Sequence, residues 1–292
     1  MVEKIWRREC RFCKLERQEM TTMSFVLDKN VFIGTNQQEL CKFVGSNTVI
    51  LPETLFYECY TSNELSDKKF FKRLYQLLKG GAYVTYQLMQ IIRDEGENLS
   101  PCSCIIDYSE TDNLRTRGFI EEKTVGKAEI DEKKKDRSKM AISIKKLAST
   151  IFQKLESDDP DCLREMRRLQ MNRKERFRKW IEIADQNDIH DLATKSFRKH
   201  VAAPKRFCLS TDWLSWHNMR LMYTFALEYS YLGITGYCPK DENAERDLMD
   251  IEYLTFLAKS DGLLAGDKKL GYLAKATFPN KKVYSSVQDV SG

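Results

Sequence analysis

No stretch of the 292 residues approaches 18 consecutive apolar positions, so a membrane-spanning helix is not expected. The first twenty residues, MVEKIWRRECRFCKLERQEM, carry charges where a signal peptide needs an apolar segment, which argues against secretion and for a cytoplasmic setting. Histidine is scarce: there are three, none with ligand spacing or with a partner that suggests a nucleophilic triad. The nine cysteines are odd in number and scattered, which excludes a tidy disulfide framework and suits reduced thiols. Their two close pairs, Cys10-x-x-Cys13 and Cys102-x-Cys104, have no His nearby and read as ordinary thiols before a zinc site. No large excess of one charge is present either. The net charge is +5, with 31% charged and 42% hydrophobic residues, as in a mixed globular chain that tolerates a polyanion partner without demanding one.

What is present begins at residues 24–34, SFVLDKNVFIG. Phe25, Val26 and Leu27 form a short apolar run that closes on Asp28. An unpaired carboxylate inside a buried strand is costly, so Asp28 belongs at the strand's carboxyl end, where open α/β sheets expose functional groups. The plainer alternative is a helix cap. Residues 36–44 have helical spacing, with Leu40, Phe43 and Val44 on one face. Residues 48–51 (TVIL) read as a strand buried in a parallel sheet, and Pro52 opens a helix carrying Glu58 about two turns in. Residues 68–79 are amphipathic, with Phe71, Leu74, Leu77 and Leu78 as the stripe, and residues 82–85 suggest a third strand.

From about residue 98 the character changes. Residues 121–206 hold 23 Lys and Arg against 16 Asp and Glu. Sparse apolar positions there (Leu147, Ile151, Leu155, Leu163, Leu169, Phe177, Trp180, Ile181 and Ile183) predict charged helices with a narrow apolar seam. The chain therefore divides into an appendage (1–22), a first part of an α/β domain (23–99), a charged helical insertion (100–210) and the second part of the domain (211–292). In the insertion, Arg164, Arg167, Arg168, Arg173, Lys174 and Arg178 are candidates for phosphate contact, against the alternative of a solvated helix face, while Phe177 and Trp180 fit the core.

Residues 243–270, NAERDLMDIEYLTFLAKSDGLLAGDKKL, supply a helix with Asp247 and Asp250 three apart near its start. A helix-dipole role is the plain account of those two acids. A short strand at 262–265 follows, with Asp261 at its start and Asp267 just past its end. Converging carboxylates repel, and a divalent cation is the usual remedy; an oxygen-only shell favours Mg2+ or Mn2+.

Four pieces of this pattern together resemble the PIN-domain nucleases: a strand ending in Asp28, a strand–Pro–helix carrying Glu58, a helix opening with Asp250, and a strand ending in Asp267 within SDGLLAGDKKL. The resemblance covers roughly 23–95 and 232–286. It implies an α/β/α sandwich on a central parallel sheet and Mg2+- or Mn2+-dependent cleavage of nucleic acid, RNA before DNA. Asp28, Glu58, Asp250 and Asp267 would then be catalytic metal ligands, Asp261 a further ligand, and Asp247 and Asn30 auxiliaries. The sequence departs from the family at Lys29, where a small hydroxyl residue is usual, and at Ala265, where Thr or Ser often stands. Lys29 has a stem long enough to carry its charge to solvent. An inactive RNA- or protein-binding relative and a structure-specific DNA nuclease remain the alternatives. A protein partner or a second copy of the chain stays open.

Overall fold

The computed structural model describes residues 22–61, 67–117, 127–158, 160–161, 164, 168, 171–200, 208–237 and 240–291. Cys10, Cys13, Leu163, Arg167, Leu169 and nearly all of the expected appendage lie outside these residues, and the side chains of Phe71 and Leu155 lie outside the description.

Five strands, Ser24–Leu27 (β1), Thr48–Leu51 (β2), Tyr83–Val84 (β3), Gly262–Leu264 (β4) and Lys282–Tyr284 (β5), form one sheet in the order β3-β2-β1-β4-β5, every pair parallel. The chain is thus of the α/β class. Its inner strands are continuous apolar runs because a parallel sheet is covered on both faces; Phe25, Val26, Leu27, Val49, Leu51, Leu263 and Leu264 are wholly buried.

Parallel neighbours require crossovers, and helices provide them. Lys29–Gly34 (α1) and Gln37–Ser46 (α2) lead from β1 to β2, and Glu53–Thr61 (α3) and Asp67–Gly80 (α4) from β2 to β3. Between β3 and β4 run Leu88–Asn98 (α5), Tyr108–Arg117 (α6), Lys127–Asp158 (α7), Arg173–Ala184 (α8), Asn187–His200 (α9), Leu214–Ile234 (α10) and Asp241–Leu257 (α11). Lys268–Thr277 (α12) crosses from β4 to β5, and Gln288–Ser291 (α13) follows. No described helix is long and apolar enough to cross a membrane.

The charged helices dock through thin seams. Among the described side chains of α7, Ala141, Ile144 and Ala148 are the fully buried ones, at a spacing that keeps one face inward. They share one core cluster with the sheet and with Phe177 and Trp180 of α8, so those two aromatics are core residues, as their spacing suggests. Leu147, Ile151 and Ile183 pack partly buried against the same cluster. Helix α8 starts with a reciprocal cap, Glu175 N–H donating to Asn172 Oδ1 (3.1 Å) and Asn172 N–H to Glu175 Oε2 (3.0 Å). Helix α10 is buried nearly all round; its first free N–H groups, at Leu214 and Ser215, donate to the buried Glu95 at 3.0 and 2.7 Å.

The strand order has one functional consequence. From β1 the chain winds outward to β2 and β3, then returns to β4 on the other side of β1. The switch point lies between β1 and β4, and ligands of open α/β sheets bind outside the carboxyl ends of strands at such a point.

Candidate functional site

Asp28 and Asp267 follow the carboxyl ends of β1 and β4 and so flank the switch point. Asp28 N–H donates to the Leu264 carbonyl (2.9 Å), and Gly266 N–H donates to Asp28 Oδ2 (3.1 Å). Glycine is needed at 266: a Cβ there would come within 2.8 Å of Asn30 Cβ, so only a bare backbone lets this loop close on the start of α1. Asp28 is 3% exposed. Burial pushes its carboxyl up to about 6, against the pull of the backbone N–H groups at Asn30, Gly266 and Asp267.

Glu58 reaches the same place from α3. Burial pushes it up to about 7, while Tyr253 donates its hydroxyl to Oε2 (2.7 Å) and the carboxylates of Asp28 and Asp250 raise it further. Asp250 and Asp247 come from α11. That helix begins at Asp241, earlier than the polar residues 243–247 suggest, so both acids sit beyond its first turn. The helix dipole, which acts over the first turn, does not account for them. Both face instead the ammonium of Lys269, which bonds Asp247 Oδ1 and Asp250 Oδ2. Asp247 is held on its other oxygen by the Tyr229 hydroxyl (2.6 Å). Burial raises the Asp250 carboxyl despite Lys269, and the two carboxylates together hold Lys269 above its ordinary value against the opposing effect of burial.

Glu58, Asp247, Asp250 and Asp267 line one cleft of about 770 Å3 with Asn30, whereas Asp28 is buried and does not line it. Asp267 is exposed and doubles as the cap of α12, its Oδ1 accepting from Lys269 N–H (2.6 Å) and Leu270 N–H (3.1 Å). Lys29 lines the cleft and its charge lowers Glu58, so its side chain does not carry that charge away from the acids. Ala265 is buried and has no hydroxyl to give them.

One predicted ligand is elsewhere. Asp261 precedes β4 and therefore stands at the amino edge of the sheet, a full strand from Asp267. Its Oδ2 accepts from Ser24 N–H (2.7 Å) and Ser24 Oγ (2.9 Å), pinning the starts of β1 and β4 together. Asp261 is corrected from metal ligand to strand tie.

The basic candidates also divide. Arg173 lines the cleft, 4.0 Å from Asp247 Oδ1. Lys174 and Arg178 are exposed on α8, Arg168 is exposed, and Arg164 pairs with Asp161; none of these four lines the cleft. Arg176, one turn from Arg173, does line it, held by Glu228 through Nε to Oε2 (3.0 Å) and Nη2 to Oε1 (2.7 Å), and Trp180 Nε1–H donates to Glu228 Oε2 (2.9 Å). Arg246 completes the basic rim.

The sequence reading missed Lys269, Tyr253 and Tyr229. A faint signal existed for two of them: Tyr253 lies three residues after Asp250 on the same helix face, and Lys269 directly follows the capping region in GDKKL. In the close cysteine pair Cys102-x-Cys104, Cys102 donates its thiol to the Cys104 carbonyl (3.0 Å), and burial pushes it up to about 11.

In chemistry, these oxygen donors, three of which (Asp28, Glu58 and Asp250) are raised by burial and by neighbouring carboxylates, suit a hard divalent ion such as Mg2+ or Mn2+. In arrangement they do not yet close on one point. Among the described residues no group of three or more His, Cys, Asp or Glu is placed to hold a metal ion, and Lys269 already neutralises part of the set. No family model matches the chain, and neither does any curated protein or solved structure, so what the cleft does is argued from its geometry.

Proposed function

We propose that the chain is a divalent-metal-dependent nuclease with a PIN-like α/β/α arrangement, acting on nucleic acid and on RNA before DNA. One observation carries this reading: Asp28, Glu58 and Asp250 arrive from three separate elements at the switch point of a parallel sheet, and all three carboxyls are raised. Structural carboxylates are usually paired and depressed; several raised ones gathered at a cleft mark a functional site.

Asp28, Glu58 and Asp267 would hold Mg2+ or Mn2+, with Asp250 shared between the ion and Lys269. Held there, the ion would supply Lewis acidity toward a phosphate and would lower the pKa of a bound water. The remaining work belongs to the chain. Gly266 N–H and Tyr253 Oη fix one oxygen each of Asp28 and Glu58, so neither carboxylate must reorient. Lys269 and Tyr229 fix Asp250 and Asp247. Arg173 and Arg246 offer the phosphodiester two guanidinium groups at the rim.

A second reading, a binding module without turnover, is favoured by Lys269, an internal cation where a second metal charge would otherwise serve. Labelled RNA and DNA panels incubated with wild type and Asp28→Asn, in Mn2+, Mg2+ or EDTA, separate the two. Metal-dependent products from wild type alone support the nuclease. Binding with no products in any condition selects the module.

A further inference from the structure

The cleft continues past its acids. Tyr229 and Tyr237 line it and also line a second cavity of about 490 Å3 between α7 and α10. Ala148 and Phe152 of α7 and Gly233 of α10 form part of its wall, with Gln153 beside them. The hydroxyls at its base are already used: Tyr229 donates to Asp247 (2.6 Å) and Ser230 to the Ala148 carbonyl (2.7 Å). What remains is a largely apolar slot, flanked by Ser149, Glu156 and Lys145 (itself paired with Asp241), with an exposed amide, Gln153, and a half-exposed ring, Tyr237.

Gly233 puts no side chain into this space. Unlike Gly236, at φ +81° in the turn after α10, Gly233 has a backbone that any residue can adopt. A Cβ built there meets nothing within 4 Å, so no close approach requires glycine. Its effect here is the absence of a side chain from the cavity wall.

We infer that this cavity is a base pocket, seating one nucleobase of a single strand whose phosphodiester lies in the adjoining cleft; the inference rests on the reading of that cleft as a nucleic-acid site. The volume falls within the range of small-molecule pockets. Flat apolar walls with an aromatic at the junction suit a base face, and stacking tolerates any sequence because every base has one. Gln153 offers both a donor and an acceptor to a base edge. A duplex presents no such base unless one is unpaired, unstacked and flipped out, so the favoured ligand is single-stranded. The rim cations Arg173 and Arg246 meet the phosphate charge one step away.

The test is fluorescence anisotropy in EDTA, where nothing is cut, using 12-residue single strands of RNA and of DNA, their abasic counterparts and the matched duplexes. Wild type should prefer base-bearing single strands. Tyr237→Ala and Gly233→Leu should each lose roughly 5- to 150-fold of that affinity, the range of one stacked base, and leave abasic binding unchanged. Gly233→Ala, too small to fill the slot, should bind as wild type does, and both Gly233 variants should melt no lower than wild type. Tyr237→Ala alters an exposed side chain and carries the test should Gly233→Leu fold poorly. The RNA and DNA arms tell which sugar the strand carries. No single-strand binding, or equal affinity for base-bearing and abasic strands, overturns the pocket. With metal-dependent cleavage intact, that outcome leaves the nuclease reading standing; base preference without cleavage does the reverse.

Discussion

The two edges of the sheet carry the same residue type in opposite circumstances. At the amino edge Asp261 is exposed, accepts from both the backbone and the hydroxyl of Ser24, and ties two strand starts together. At the carboxyl edge Asp28 is buried and pushed up to about 6, with Glu58 at about 7 close enough to feel its charge. Under the proposed function, an aspartate beside a strand end is a metal ligand or a strand tie according to which end it marks. The carboxyl end opens on a switch point where several elements converge; at the amino end Asp261 meets the starts of β1 and β5, its N–H donating to the Ser24 carbonyl and its carbonyl accepting from Lys282 N–H (both 3.0 Å).

The largest expected effect breaks this contrast outright. Asp28→Asn should reduce cleavage by on the order of 10^3 or more, as loss of an essential group does. Asp261→Asn should leave kcat near wild type and act through stability alone. Equal losses of kcat in the two variants, measured on well-folded protein, would return Asp261 to the site.

Next in size is Lys269. Replacing it with Met leaves Asp247 and Asp250 without their cation, and breaking a buried pair from one side costs about 3–5 kcal/mol. The melting temperature of metal-free Lys269→Met should fall accordingly, and Mn2+ should restore more of it than Mn2+ adds to wild type. A variant as stable as wild type without metal would show the triad to be solvated.

The third prediction uses proton linkage. Asp28 and Glu58 have folded values above their unfolded ones, so the native state holds more protons than the unfolded chain between about pH 4 and 7. Their contribution is therefore fully present below about pH 4 and is lost as pH rises through 6–7. Each group is worth up to about 3 kcal/mol, reckoned at 1.4 kcal/mol per unit. Denaturant unfolding of the metal-free protein across that window should show Asp28→Asn gaining on wild type as pH rises. Asp261→Asn should show no such pH-dependent gain. Parallel curves for Asp28→Asn and wild type would contradict the burial of an unpaired carboxylate.

The carboxyl-edge half of this contrast was legible in the sequence, for a physical reason, whereas Asp261 read as one more metal ligand. Strands covered on both faces must be continuous apolar runs, so β1, β2 and β4 stood out, and an acid at the end of such a run cannot be inside it. The edge strand β5, Lys282–Tyr284, has only partly buried or exposed residues and gave no such signal. Helix α11 was placed but its start was not, because Asp241 and Glu242 also suit a loop; the error made Asp247 and Asp250 look like dipole partners. Lys269 was invisible since its partners lie 19 and 22 residues away, and a lysine after a cap ordinarily meets solvent. On α8 the composition announced a basic face without saying which side meets the cleft. Only packing distinguishes Arg173 from Lys174 and Arg178.

That distinction gives the smallest predicted effect. Arg173→Ala should flatten the slope of log affinity against log salt by about one, the loss of one phosphate contact. Lys174→Ala and Arg178→Ala should leave the slope as it is. A uniform decrease across the three would spread the contact over the whole basic face.

The most direct measurement is calorimetric titration of Mn2+ into metal-free wild type, Asp28→Asn and Asp261→Asn. The two edges should separate: Mn2+ binds wild type and Asp261→Asn with the same stoichiometry, and Asp28→Asn binds it at least tenfold more weakly or not at all. Absence of Mn2+ binding by wild type, or equal binding by Asp28→Asn, would contradict a metal site at the carboxyl edge of the sheet.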